Sequence, residues 1–157
     1  MKQLKNKNKK TSQIKKIEKF LRQYTTYKIG VMSLQKQLDY IMPNITATYE
    51  LTEGSTGTFK ITSSTEQYAI DRIESKRALM LHEDIAKYNL IIESIDNAVS
   101  ELDEIERKFV ELRYINRKTI AQTSMELGYS EKHIFNLRHQ VMEKLLISLR
   151  GLLIQFD

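Results

Sequence analysis

One glycine between two helical patterns constrains this chain more than any other feature. In the segment ELGYSEKHIF, Gly128 interrupts an apolar-periodic run and Ser130 follows two positions later. The residue just past a helix end often needs a positive φ, which glycine adopts at least cost. Ser130 offers a side-chain oxygen to cap the next helix, and Glu131 suits its positively polarised first turn. Ile134, Leu137, Val141, Leu145 and Leu149 then recur at spacings of three or four. That period draws one buried stripe along a helix. The spacing predicts a short helix, a three-residue turn at Gly128, and a long helix running to Leu149.

Two helices joined by so tight a turn can set the second into a DNA major groove. At about 100° per residue, Lys132, Asn136 and His139 fall opposite the stripe, with His133 and Gln140 on one flank. Lysine donates to guanine or phosphate, and asparagine bonds adenine in bidentate fashion. The expectation is that Lys132, Asn136 and His139 read base edges. Arg117, Lys118, Ser130 and His133 would fix the module on phosphates. An ordinary solvated face would more often carry Glu–Lys pairs at i, i+4. A packed pair of helices that binds no DNA is the alternative reading of the same pattern.

Charge is distributed unevenly. Residues 1–36 hold eleven Lys or Arg and one Glu, a net +10; residues 37–112 carry −8 and residues 113–157 carry +3. A basic N-terminal stretch and a basic C-terminal module fit phosphate binding. The acidic middle is repelled from DNA and suits solvent, protein partners or the basic arm. Residues 1–11, MKQLKNKNKKT, have almost nothing apolar to bury and are expected to be disordered. Such an arm serves either as a solubilising tail or as a DNA contact.

From Ser12 a helix is expected, with Ile14, Ile17, Leu21 and Tyr24 on one face. TTYKIG is a weak point, because β-branched residues and Gly30 lower helix propensity. A second stretch runs from about Val31 to Met42 and stops at Pro43, closing a helical region over 12–43. Residues 44–65 are rich in Thr, Ser and Gly and read as a flexible loop or a small hairpin, without the spacing of a phosphate loop. A long helix over 66–100 follows, with Ser64 and Thr65 as caps. Its stripe is Ile70, Ile73, Arg77, Leu81, Ile85, Tyr88, Ile92, Ile95 and Val99. That face must pack on the earlier helices, on a second copy in a homo-oligomer, or on both. Residues 101–157 then form the C-terminal module.

Catalytic constellations are thin, and the expectation is a protein that is not an enzyme and uses no cofactor. His82, Glu83 and Asp84 are adjacent on a helix and point in different directions, so they cannot converge on a metal. His133 and His139 lie six apart, outside the i, i+4 spacing of paired ligands. The chain contains no cysteine, which removes disulfides and thiolate metal sites. No apolar run approaches bilayer length, and the charged IKKIEKFLRQY segment is unlike a signal-peptide core. Cytoplasmic residence, with no membrane partner, is the simplest expectation.

The stretch from about Leu102 to Leu149 resembles region 4 of bacterial sigma factors and the related helix-turn-helix of phage regulators. EIERKFVELRY is similar to the helix before the motif, TIAQTSMELG to its first helix, and YSEKHIFNLRHQVMEKL to its recognition helix. The layout of the whole chain resembles the RinA/ArpU-like phage late transcription regulators. Paired tyrosines (Tyr24 and Tyr27) in an N-terminal helical stretch lead through a polar loop to a long helix. The motifs cover about a third of the chain. The resemblance implies an all-α protein in a bacterial host cell, associated with the nucleoid, that activates late phage genes by binding double-stranded promoter DNA. Bacterial RNA polymerase is the implied further partner. Ser124 stands where the family usually has Ala. Phe135 stands where sigma factors often carry a basic residue; it either touches a thymine methyl or joins Met142 and Leu146 in a second apolar stripe, and the stripe is favoured. Two other functions use the same helices. A small-terminase-like packaging subunit would bind DNA as a closed ring, and a protein–protein adaptor would bind none.

Overall fold

A computed structural model describes residues 2–41 and 64–155, with side-chain environments over 8–41 and 71–155. The chain is all-α, with no strand among the described residues. Helix α1 spans Lys2–Ile41 and α2 spans Ser64–Ser100. The shorter α3 (Glu104–Val110) runs on into a π-helical turn at Glu111–Ile115. Then come α4 (Ile120–Leu127), α5 (Glu131–Ser148) and α6 (Arg150–Gln155). Apart from Ser64 and Thr65, the loop expected at 44–65 lies outside the described residues. Those two caps fall within the first turn of α2.

Two expectations about the N-terminal third are corrected. The segment 1–11 is helical from Lys2 instead of disordered, and TTYKIG does not break the helix. Extending an existing helix adds one hydrogen bond per residue fixed, and lysine and glutamine are good helix formers. Lys10 also pairs with Glu143 of α5 at 2.5 Å. Around the weak point, tertiary contacts outweigh propensity. The Tyr24 hydroxyl donates to Asp96 at 2.5 Å, and the Tyr27 ring meets Tyr88 at 5.5 Å. Burial, and next the Asp96 carboxylate, push the Tyr24 phenol above its usual range.

The chain divides into two compact units, and the division cuts both long helices. The first joins Met1–Ile29 with Tyr88–Asp157. Its core takes Ile17 and Leu21 from α1, and Ile91, Ile95 and Ala98 from α2. Phe109 and Val110 of α3, Tyr114, and Ile134, Leu137, Val141, Met142 and Leu145 of α5 complete the centre. Leu149, Leu152 and Leu153 close one end, because α5 stops at Ser148 and the chain turns into α6. Fully burying one such aliphatic side chain is worth about 1.5–3 kcal/mol against exposure.

The second unit, from the described parts of Gly30–Lys87, packs Leu38 against Ala78, Leu81 and Ile85, with Val31, Leu34 and Ile41 around them. The stripe expected along α2 is therefore partly wrong at its start. Ile73 is exposed, and Ala78 takes the buried place assigned to Arg77. A methyl group lets the helices approach, whereas a guanidinium there would have to be desolvated.

A part-buried polar knot ties α1 to the C-terminal module. Glu18 Oε1 accepts from the Tyr114 hydroxyl at 2.8 Å and from Arg138 Nη2 at 2.7 Å and Nε at 3.1 Å. Tyr114 is fully buried, and burial, followed by the Glu18 charge, pushes its phenol far above the usual range. A buried carboxylate, Glu106, accepts the Asp103 backbone N–H at 3.0 Å and Lys144 Nζ at 2.7 Å. Both the half-buried Glu18 and the buried Glu106 have partners, as charges withdrawn from water need.

Candidate nucleic-acid interface

The α4–α5 pair is held by local bonds that follow from its sequence. Thr119 Oγ1 accepts the Gln122 N–H at 3.2 Å, while Gln122 Oε1 accepts the Thr119 N–H at 2.9 Å. This reciprocal pair satisfies two donors that the start of α4 leaves open. On the inner face Thr123 and Ser124 are buried, and their hydroxyls donate back to Thr119 O and Ala121 O at 2.8 Å each. Small residues are what that packed position needs. Gly128 ends α4 with φ 72°, and its N–H and that of Tyr129 both donate to Ser124 O. Ser130 Oγ then accepts the His133 N–H at 3.3 Å and starts α5.

Lys132, Asn136 and His139 are all exposed on the side of α5 away from Ile134, Leu137 and Val141. They share one face, but His139 is not alone on it. Its Nε2 lies 3.8 Å from Glu143 Oε1, the carboxylate that also takes Lys10. The Lys10 hydrogen bond draws the Glu143 carboxyl below its ordinary range, so a negative charge sits beside His139. Lys132 and Asn136, nearer the start of α5, pair with no carboxylate among the described residues.

The residues expected on phosphates are differently placed. His133 stacks on Tyr129, with centroids 4.5 Å apart and planes 24° apart. Ser130 is exposed, but its oxygen caps α5. Lys118 Nζ pairs with Glu126, so it must leave that carboxylate to meet a phosphate. Arg117 is exposed and has φ 56°, the one non-glycine residue with positive φ among those described. Its Nη2 donates to Arg22 O at 3.3 Å. The second apolar stripe is half present. Met142 is buried and Leu146 packs on the core, whereas Phe135 is 54 % exposed and does not join them. Phe135 stands seven residues before Met142, beyond the stretch of α5 that the core covers on that side.

Sequence reasoning missed a strongly basic concavity of this unit. A cleft of about 500 Å³ is lined by Lys15, Glu18, Lys19, Arg22 and Gln23 of α1 and by Arg113 and Arg117 after α3. Lys15, Lys19 and Arg22 recur at i, i+4 and i+7, a signal visible in the sequence. That α1 lies beside Arg113 and Arg117 is visible only in the fold. No cluster of His, Asp or Glu able to hold a metal occurs among the described residues. Among them, too, no helix is long and apolar enough to cross a membrane. Comparison with family models, with curated proteins and with solved structures finds no match for this chain.

Proposed function

We propose that this protein is a sequence-specific DNA-binding regulator of transcription. The observation that carries the reading is the α4–α5 pair. A left-handed glycine and a serine cap join a short helix to a longer one, whose exposed face presents Lys132 and Asn136 near its start. That is the geometry and chemistry by which a helix reads base edges from a major groove. His139, beside Glu143, serves in this reading at the edge of the contact. The narrower role, activation of late phage genes with bacterial RNA polymerase as partner, rests on the resemblance alone, that of the chain's layout and that of its 102–149 segment.

Selection of bound duplexes from a random pool supplies the target site. Gel shifts then compare that site with random DNA. Asn136→Ala and Lys132→Ala, tested separately, are each expected to weaken the selected site by about 1–3 kcal/mol per lost base contact. Binding to random DNA should change far less. Mutants as tight as the parent on the selected site, with folding intact, remove both residues from the reading face. A parent protein that retains no duplex from the pool ends the reading itself.

A further inference from the structure

The cleft between α1 and the α3–α4 connection has no role in base reading, yet its charge demands an explanation. Five of its seven lining residues are cations, Lys15, Lys19, Arg22, Arg113 and Arg117. The one carboxylate, Glu18, is already committed to the Tyr114 hydroxyl and to Arg138. Among the described residues, no carboxylate pairs with any of those five cations. Like charges gathered in one concavity repel, and the field they focus attracts an anion.

Two further observations sit at the same place. The Arg113 Nε is buried without a hydrogen-bond partner, although its Nη1 donates to Lys118 O at 2.7 Å. An unmatched buried donor on an arginine costs stability unless something accepts from it. Arg117 holds a left-handed backbone that most side chains avoid, and strain of that kind gathers at functional positions. The strained residue stands two positions before Thr119, the cap of α4.

We propose that this cleft grips the sugar-phosphate backbone of the duplex whose groove α5 enters. The inference rests on the DNA-binding reading and extends it to α1. Arginine forks match phosphate oxygens, and lysines neutralise them as point charges. Lys15, Lys19 and Arg22 are exposed along one face of α1, spaced to follow a line of phosphates. Contacts of this kind set register and affinity and carry no sequence information.

The test uses the full-length protein and the triple variant Lys15→Gln, Lys19→Gln, Arg22→Gln, checked by circular dichroism and melting temperature. All three side chains are exposed, so the fold should survive. Each phosphate contact contributes about 0.9 to the magnitude of the salt slope of log affinity. The triple variant should therefore flatten that slope by roughly 2–3 units and weaken binding roughly tenfold or more at low salt. The loss should be the same on the selected site and on random duplex, unlike that of Asn136→Ala. Arg117→Gly should also weaken both DNAs equally while leaving the melting temperature unchanged or raised, because it removes charge and strain together. Titration with inorganic tripolyphosphate separates a soluble source of phosphate from DNA. If the parent binds DNA but the slope stays put in the triple variant, the inference is overturned and the DNA-binding reading stands. If tripolyphosphate binding is lost while DNA binding is unchanged, the cleft serves a soluble phosphate and the inference is again overturned. A parent that binds no DNA overturns both.

Discussion

Gly128 offers the sharpest test of how the C-terminal module is built. A Cβ placed there meets no atom within 4 Å, so steric filling contributes nothing to the effect of a substitution. What remains is the backbone, held at φ 72°. An alanine in that left-handed conformation costs about 1–2 kcal/mol. The substitution also narrows the unfolded ensemble, which returns about 0.4–1 kcal/mol. Gly128→Ala should therefore destabilise by on the order of 1 kcal/mol. Gly128→Asn should cost less, because asparagine tolerates this region, and the β-branched Gly128→Val should cost roughly 2–3 kcal/mol. Urea unfolding reads the series as shifts in midpoint at constant slope. The order Asn, Ala, Val is the diagnostic outcome. If Val melts with the parent, or if Asn is as harmful as Val, the left-handed backbone is not what Gly128 provides.

Two other predictions concern the polar knot around Glu18. Glu18→Ala leaves the Tyr114 hydroxyl buried without an acceptor, which should cost about 2–4 kcal/mol; most of that belongs to the phenol, because Arg138 is 35 % exposed and partly screened. A cycle with Tyr114→Phe should recover a coupling of about 0.5–3 kcal/mol, and additive single mutants would show that the hydrogen bond contributes nothing. The second prediction is a pH dependence. Burial, and then Glu18, raise the Tyr114 phenol above its ordinary value of 10.0, so above that pH the unfolded chain releases a proton that the folded chain keeps. Stability is then fully present below about pH 10 and falls as pH rises, by at most about 1.4 kcal/mol per unit from this group. Alkaline urea titrations of Tyr114→Phe should lose that component of the slope, and an unchanged slope would mean the phenol titrates freely.

The C-terminal module was legible in the chain itself because its signals are local. The Gly128 turn, the Ser130 cap and the Ile134–Leu149 stripe each depend on residues within a few positions of one another, where backbone sterics and helical period decide the outcome. The exposed face with Lys132 and Asn136 follows from that period alone. The N-terminal third was not legible in the same way. Glycine and β-branched residues at 25–30 argue locally for a break, and the lysines of 2–10 argue for disorder. Contacts with remote residues, among them Tyr24 with Asp96 and Tyr27 with Tyr88, overrule the first, and the lysine stretch extends the helix already formed behind it. Phe135 was misplaced for a related reason, since helical period says which residues share a face but not how far a neighbour covers it. The cleft is the clearest case. Its lysine and arginine row on α1 is written in the sequence, but its depth comes from Glu18 meeting Tyr114 and Arg138, which brings the row against Arg113 and Arg117. Local pattern determines helices and their faces; only packing decides which faces meet, because that choice is made by burial and charge pairing between segments remote in the chain.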